Sequence, residues 1–100
     1  MDEWTIDEWQ QYMQGHQAFL YLYTPLCGTC AVASKMLNIV KILNPSLQVG
    51  KMNVNYNQNI ANQYEVESVP CLLIAENGVL QQKIYAFQSV PYLNDLVKND

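Results

Sequence analysis

The sequence predicts an α/β fold: a central mixed β-sheet of about four strands, flanked by helices on both faces. Three observations carry this. Short apolar runs alternate along the chain with segments of helical periodicity, the pattern of strands joined by crossover helices. One run, Ala18 to Tyr23, is apolar or aromatic at every position, as a strand covered on both faces must be. Two further runs flank Glu76-Asn77-Gly78, whose Asn-Gly pair supplies the positive φ values of a tight hairpin turn.

The elements follow in order. Thr5-Ile6-Asp7-Glu8 has the Thr-x-x-Glu form of a capping box, so a first helix runs from Thr5 to about Gly15. Ala18 to Tyr23 is the first strand, ended by Thr24-Pro25. From Cys30 to Leu43 the apolar residues Val32, Met36, Ile39, Val40 and Leu43 recur at helical spacing, until Asn44-Pro45 stops the helix. Leu47 to Val54 alternates as a second strand. Gln58 to Tyr64 forms a short helix with Asn55 or Asn57 as its cap. Cys71 to Ala75 and Val79 to Tyr85 are the hairpin strands, and Ser89 caps a last helix reaching Val97. Nothing in the chain reads as a linker or repeat, so residues 1–100 are expected to form one domain.

Composition narrows the function. Half of the 100 residues are hydrophobic and 14% are charged, enough for a continuous core. Nine acidic residues face five lysines and no arginine, a net charge of −4. Nucleic-acid backbones are bound by clusters of Lys and Arg, so a nucleic-acid partner is not expected. The acidic start Met1-Asp2-Glu3-Trp4 lacks the basic end and apolar run of a secretory signal, and no stretch approaches a membrane span. The expectation is a soluble, cytoplasmic protein. Three cysteines are too few for a disulfide-stapled scaffold, and in a reducing compartment a pair of them points to chemistry.

That pair is Cys27-Gly28-Thr29-Cys30, at the junction of a buried strand and an amphipathic helix. Cysteines three apart on a first helical turn lie on one side, so their sulfurs can close a small ring. Cys27 falls at the helix start, where unpaired N–H groups and the dipole favour a thiolate. A C-x-x-C alone also occurs as half of a zinc site; the strand-loop-helix setting favours the redox reading.

With this motif the sequence resembles the thioredoxin family from about Phe19 to Val97. Cys27-Gly28-Thr29-Cys30 resembles the family's Cys-Gly-Pro-Cys, Val69-Pro70 its cis-proline pair, and Asn77-Gly78 its last turn. Lys51 occupies the place of the family's buried lysine. The resemblance implies the thioredoxin fold and a protein thiol–disulfide oxidoreductase, with Cys27 attacking and Cys30 resolving. It implies that Val69 and Pro70 align an extended substrate beside the dithiol. No cofactor is implied beyond the Cys27–Cys30 disulfide. The implied partners are disulfide-containing proteins and a reductase as electron donor, with the chain a monomer.

The chain departs from the family's pattern at four positions. Tyr21 stands in place of a buried Asp that assists proton transfer, Leu26 in place of Trp, Thr29 of Pro, and Ala86 of a groove glycine. A tyrosine of pKa ~10 is a poor base near neutrality. Lys51 then loses its customary partner, and is expected to reach solvent, to lie by the Tyr21 hydroxyl, or to titrate low. Cys71, next to Pro70, is expected close to Cys27, as a small core residue, a third redox partner, or a metal ligand. The competing functions are accordingly a metal or iron–sulfur module using Cys27, Cys30 and Cys71, and a non-catalytic binding module. His16 is expected in a loop without chemistry, and Trp4, Trp9, Tyr21 and Tyr23 as packing residues.

Overall fold

A computed structural model of the chain describes residues 1–98. Helix α1 (Ile6–Met13) opens at Thr5. The Thr5 hydroxyl accepts from the Glu8 N–H at 3.1 Å, and the Glu8 carboxylate accepts from the Thr5 N–H at 2.9 Å. Both amides would otherwise be orphaned, and such a cap contributes about 1 kcal/mol. At the other end of the chain, β4 (Cys71–Glu76) turns into β5 (Val79–Ile84) through Asn77 and Gly78, at φ 53° and 82°. The amides of these turn residues donate to the carbonyls of Gly15 and Met13, so the hairpin tip is tied to the end of α1.

Among the described residues the sheet has five strands, with β1 (Asp2–Glu3), β2 (Ala18–Tyr23) and β3 (Val49–Asn53) joining the hairpin in the order β1-β3-β2-β4-β5. Strand β2 lies parallel to β3 and antiparallel to β4, which in turn runs antiparallel to β5. The strand beyond the expected four is β1, parallel to β3. Its two acidic residues carry no apolar signature. It forms because its backbone pairs with the open edge of β3, a ladder continued by the Trp4 N–H on the Lys51 carbonyl at 2.9 Å.

Other boundaries shift for local reasons. The second predicted strand ends at Asn53 because Val54–Tyr56 winds into a 3₁₀ turn, whose Asn55 N–H is accepted by the Asn53 side chain. Asn57 precedes α3 (Gln58–Gln63), but its side chain donates to the Asn53 carbonyl and does not cap. Ser89 does cap α4 (Val90–Lys98), accepting from the Tyr92 N–H at 3.2 Å.

Helix α2 (Gly28–Leu43) begins directly after Cys27, its N-cap, with Cys30 in the first turn, as the placement of the dithiol in the sequence implied. Its buried face is Cys30, Ala33, Leu37 and Val40. Of the periodic set found in the sequence, Val32, Ile39 and Leu43 are 54%, 46% and 57% exposed. The helix therefore carries two apolar stripes, and Val40 of the periodic set lies on the inner one with Cys30, Ala33 and Leu37.

Strand alternation divides the core in two. Ala18, Leu20 and Leu22 of β2, with Cys71, Leu73 and Ala75 of β4, pack against Trp4, Trp9, Met13 and Ile60. This is the α1 face. Phe19, Tyr21, Leu72 and Ile74 point the other way, against Ala33, Leu37 and Val40 of α2 and Leu93 and Val97 of α4. This is the α2 face. Trp9, Leu22 and Leu73 have no exposed surface, and burying each such side chain contributes roughly 1.5–3 kcal/mol before chain entropy is counted. No helix among the described residues is long and apolar enough to cross a membrane.

Candidate active site at the start of helix α2

Cys27 is the N-cap of α2, in extended conformation at φ −94°. Its sulfur accepts from the Cys30 N–H at 3.1 Å and lies 3.3 Å from the Thr29 hydroxyl. The Cys30 thiol and the Thr29 hydroxyl, helped by the amides of both residues, hold the Cys27 thiol below the usual thiol range. Cys30, 3% exposed, moves the other way. Burial raises its pKa most and the neighbouring Cys27 sulfur adds to this, against smaller opposing pulls from the Thr24 backbone and the Tyr21 hydroxyl. The two shifts run in opposite directions, so Cys27 is the more readily ionised thiol of the pair.

Tyr21 closes the site from behind. Its hydroxyl donates to the Cys30 carbonyl at 2.6 Å. Burial first, and then the Cys30 sulfur, push the phenol far above its ordinary pKa, so Tyr21 is no base near neutrality. Its ring stacks on Tyr23 with centroids 5.7 Å apart. The Tyr23 hydroxyl in turn donates to the Glu3 carboxylate at 2.8 Å; burial and that carboxylate push the Tyr23 phenol up to about 12. Lys51 is half-buried, its ammonium 5.6 Å from the Tyr23 ring centroid, where a cation–π attraction replaces the missing carboxylate. Tyr21, Tyr23, Cys27, Cys30 and Lys51 line a cavity of about 190 Å³ whose walls hold no acidic side chain.

On the other side of the dithiol runs an apolar groove of about 380 Å³. Thr29, Val32, Met36, Pro70, Tyr85 and Phe87 line it. The Val69–Pro70 bond is cis. Val69 itself packs against the α1 face. Nothing in the sequence marked Tyr85 and Phe87 as groove residues; the only signal was their place just after the last strand, beside Ala86, which is exposed. Leu26, beside Cys27, is 99% exposed, and Gly28 has open space where a side chain would stand.

Cys71 is not beside Cys27. It pairs with Leu22 across the sheet and, like Leu22, points into the α1 face, away from α2. It is fully buried, and burial pushes its thiol up to about 11 despite smaller downward pulls from Tyr85 and Lys83. Chain proximity to Pro70 suggested the opposite; strand alternation decides it. Among the described residues no three of His, Cys, Asp and Glu gather as a metal site, so the proposed Cys27–Cys30–Cys71 ligand set is not assembled. His16 is exposed in the turn after α1, in a groove with Asn44 and Leu47 at the far end of α2 from the dithiol. Trp4 and Trp9 are core residues whose rings stack at 6.3 Å.

A C-x-x-C pair capping the helix that follows a central parallel strand, with a cis-proline loop beside it, defines a dithiol protein of the thioredoxin fold. The family model for thioredoxin matches residues 2–99, and the chain belongs to the thioredoxin family. It is 51% identical over 79 residues to the thioredoxin-like protein YusE of Bacillus subtilis (strain 168), covering 79% of this chain and 74% of that protein. With the thioredoxin of the same organism it shares 29% over 76 residues, 75% of this chain and 73% of the other. Among solved structures, oxidised mitochondrial thioredoxin 3 of Saccharomyces cerevisiae superposes with a TM-score of 0.87 at 20% identity, over 100% of this chain and 95% of that one.

Proposed function

We propose that the protein is a thiol–disulfide oxidoreductase acting on protein disulfides. The observation that carries this reading is the Cys27 sulfur, held at the N-terminus of α2 by the Cys30 amide and lowered in pKa beside a thiol that keeps its proton. The Cys27 thiolate attacks one sulfur of a substrate disulfide. That S–S bond breaks, a mixed disulfide forms, and the departing thiolate takes a proton from water. Cys30 then loses its proton to water and attacks the Cys27 sulfur, which releases the second substrate thiolate, protonated in turn from water. The substrate has gained two electrons and two protons, and Cys27 and Cys30 are joined as a disulfide. A separate reductase returns the pair to its starting state. No other cofactor takes part. Val69 and Pro70 align the substrate segment, Gly28 leaves its approach to the sulfur open, and Thr29 and Tyr21 set the state of the two thiols.

The absence of a carboxylate behind Cys30 makes its deprotonation the slow step near neutrality. The test is turnover of insulin disulfides with dithiothreitol as electron donor, for wild type, Cys27→Ser and Cys30→Ser. Cys27→Ser is expected to lose all activity above the uncatalysed rate, and Cys30→Ser to accumulate a mixed disulfide visible by mass spectrometry. Wild-type protein that binds insulin without reducing it makes the chain a non-catalytic module and overturns the reading.

A further inference from the structure

Helix α2 presents a second apolar stripe to the outside. Val32, Met36, Ile39 and Leu43 recur at i, i+4, i+7 and i+11, so they share one face over about 16 Å. Ile42 beside them is 75% exposed. Clustered exposure of this kind, unlike scattered single residues, marks an interaction surface. Two of its members, Val32 and Met36, also line the groove at Pro70, so stripe and groove share side chains and run on to Thr29 of the dithiol motif.

Charge selects the occupant. The chain is acidic overall, yet no Asp or Glu occurs between Glu8 and Glu65. The charged residues of α2 are Lys35 and Lys41 alone. The Lys41 ammonium is engaged by the carbonyls of Pro45 and Leu47, at 2.7 and 2.6 Å, while Lys35 is exposed. The neighbouring α4 adds Asp95 and Lys98, which offset each other. A second copy packed on this face about a twofold axis would set lysine toward lysine, with no carboxylate on α2 between them. An anionic bilayer calls for a cluster of several basic residues, which α2 does not carry, whereas a single peptide carboxylate needs only one partner.

We propose that this stripe docks an acidic amphipathic segment of the protein whose disulfide Cys27 attacks, so that substrates are chosen by an apolar, carboxylate-bearing flank. This rests on the redox reading of Cys27 and Cys30. Apolar side chains of the flank cover Val32, Ile39 and Leu43, and its carboxylates meet Lys35.

Three synthetic disulfide peptides test it: one bare, one extended by a Leu/Glu amphipathic segment of roughly 12 residues to match the stripe, one extended by the Leu/Lys equivalent. The Leu/Glu extension is expected to lower KM about tenfold relative to the bare peptide, one decade being 1.4 kcal/mol, and the Leu/Lys extension to leave it unchanged. Ile39→Asp/Leu43→Asp, and the uncharged Ile39→Gln/Leu43→Gln, should both erase that gain while reducing 2-hydroxyethyl disulfide at the wild-type rate. Fluorescence anisotropy of a cysteine-free Leu/Glu peptide reads the surface without the chemistry. It should bind wild type and neither double variant, even if turnover itself were absent. Equal KM values for the three peptides, or equal anisotropy for wild type and variants, overturn the proposal. So does a wild-type dimer, or sedimentation with anionic vesicles, that the double variants abolish.

Discussion

The chain buries two cysteines, Cys30 on the α2 face and Cys71 on the α1 face, and treats them differently. Both are almost without exposed surface, and in both burial raises the thiol pKa. Cys30 belongs to the first turn of a helix whose cap is another cysteine, so its proton and its amide serve a neighbouring sulfur. Cys71 lies mid-sheet among Leu20, Leu22 and Leu73, with its partner across the ladder an alkyl side chain. Burial alone therefore makes a thiol inert. A second sulfur at the helix start is what sets Cys30 apart, because the Cys30 amide donates to it.

Alkylation by limiting iodoacetamide, followed by mass spectrometry, attacks this contrast most directly. Cys27 should react first. Because its pKa is held down, its rate should climb with pH and level off at a lower pH than that of a free cysteine. Cys71, with its thiol pushed to about 11, should react only on unfolding, at least about a thousandfold more slowly in the native protein. Labelling of Cys71 at a rate near that of Cys27 would collapse the distinction.

Core truncation sharpens the comparison between inner and outer surfaces. Leu22→Ala, on the closed α1 face, should cost about 2–5 kcal/mol in urea unfolding. Val32→Ala, on the outer stripe of α2, should change stability by less than about 0.5 kcal/mol. Comparable losses would mean that Val32 is a core residue after all.

A smaller effect than that of Leu22→Ala is expected at Tyr21. Tyr21→Phe removes the hydrogen bond to the Cys30 carbonyl and should cost about 1 kcal/mol. Tyr21→Asp supplies a buried carboxylate beside Cys30. In stopped-flow reduction of a model disulfide from pH 6 to 9, it should speed release of the mixed disulfide about tenfold at the acid end. Matching pH profiles for Tyr21→Asp and wild type would show that Tyr21 only fills the core.

What the sequence disclosed and what it hid follow one physical line. The capping box at Thr5 and Glu8, the Asn77-Gly78 turn and the Ser89 cap are interactions between near neighbours in the chain, so they are written locally. The dithiol at a helix start is local too. Of the inner face of α2 the periodicity caught only Val40; Cys30 and Ala33 are small, and the outward Val32, Ile39 and Leu43 carry most of the apolar pattern. Strand β1 was hidden because two residues paired through backbone alone leave no side-chain pattern. The direction of Cys71 required the register of β4, and the target of the Tyr21 hydroxyl is a main-chain carbonyl that no residue type announces.

Gly50 links the far edge of the sheet to the thiols in a way that bears on how this sequence can drift. Any side chain at that position would run into the Trp4 ring. Displacing the indole loosens the ladder between β1 and β3, and β1 carries Glu3, the acceptor for Tyr23. Tyr23 is the stacking neighbour of Tyr21, and Tyr21 holds the Cys30 carbonyl. A substitution at position 50 is thus exposed to selection through the dithiol although it touches neither sulfur. Lineages that keep Tyr at position 21 should find glycine at 50, Trp at 4 and Glu at 3 hard to exchange one at a time, and easier to exchange together.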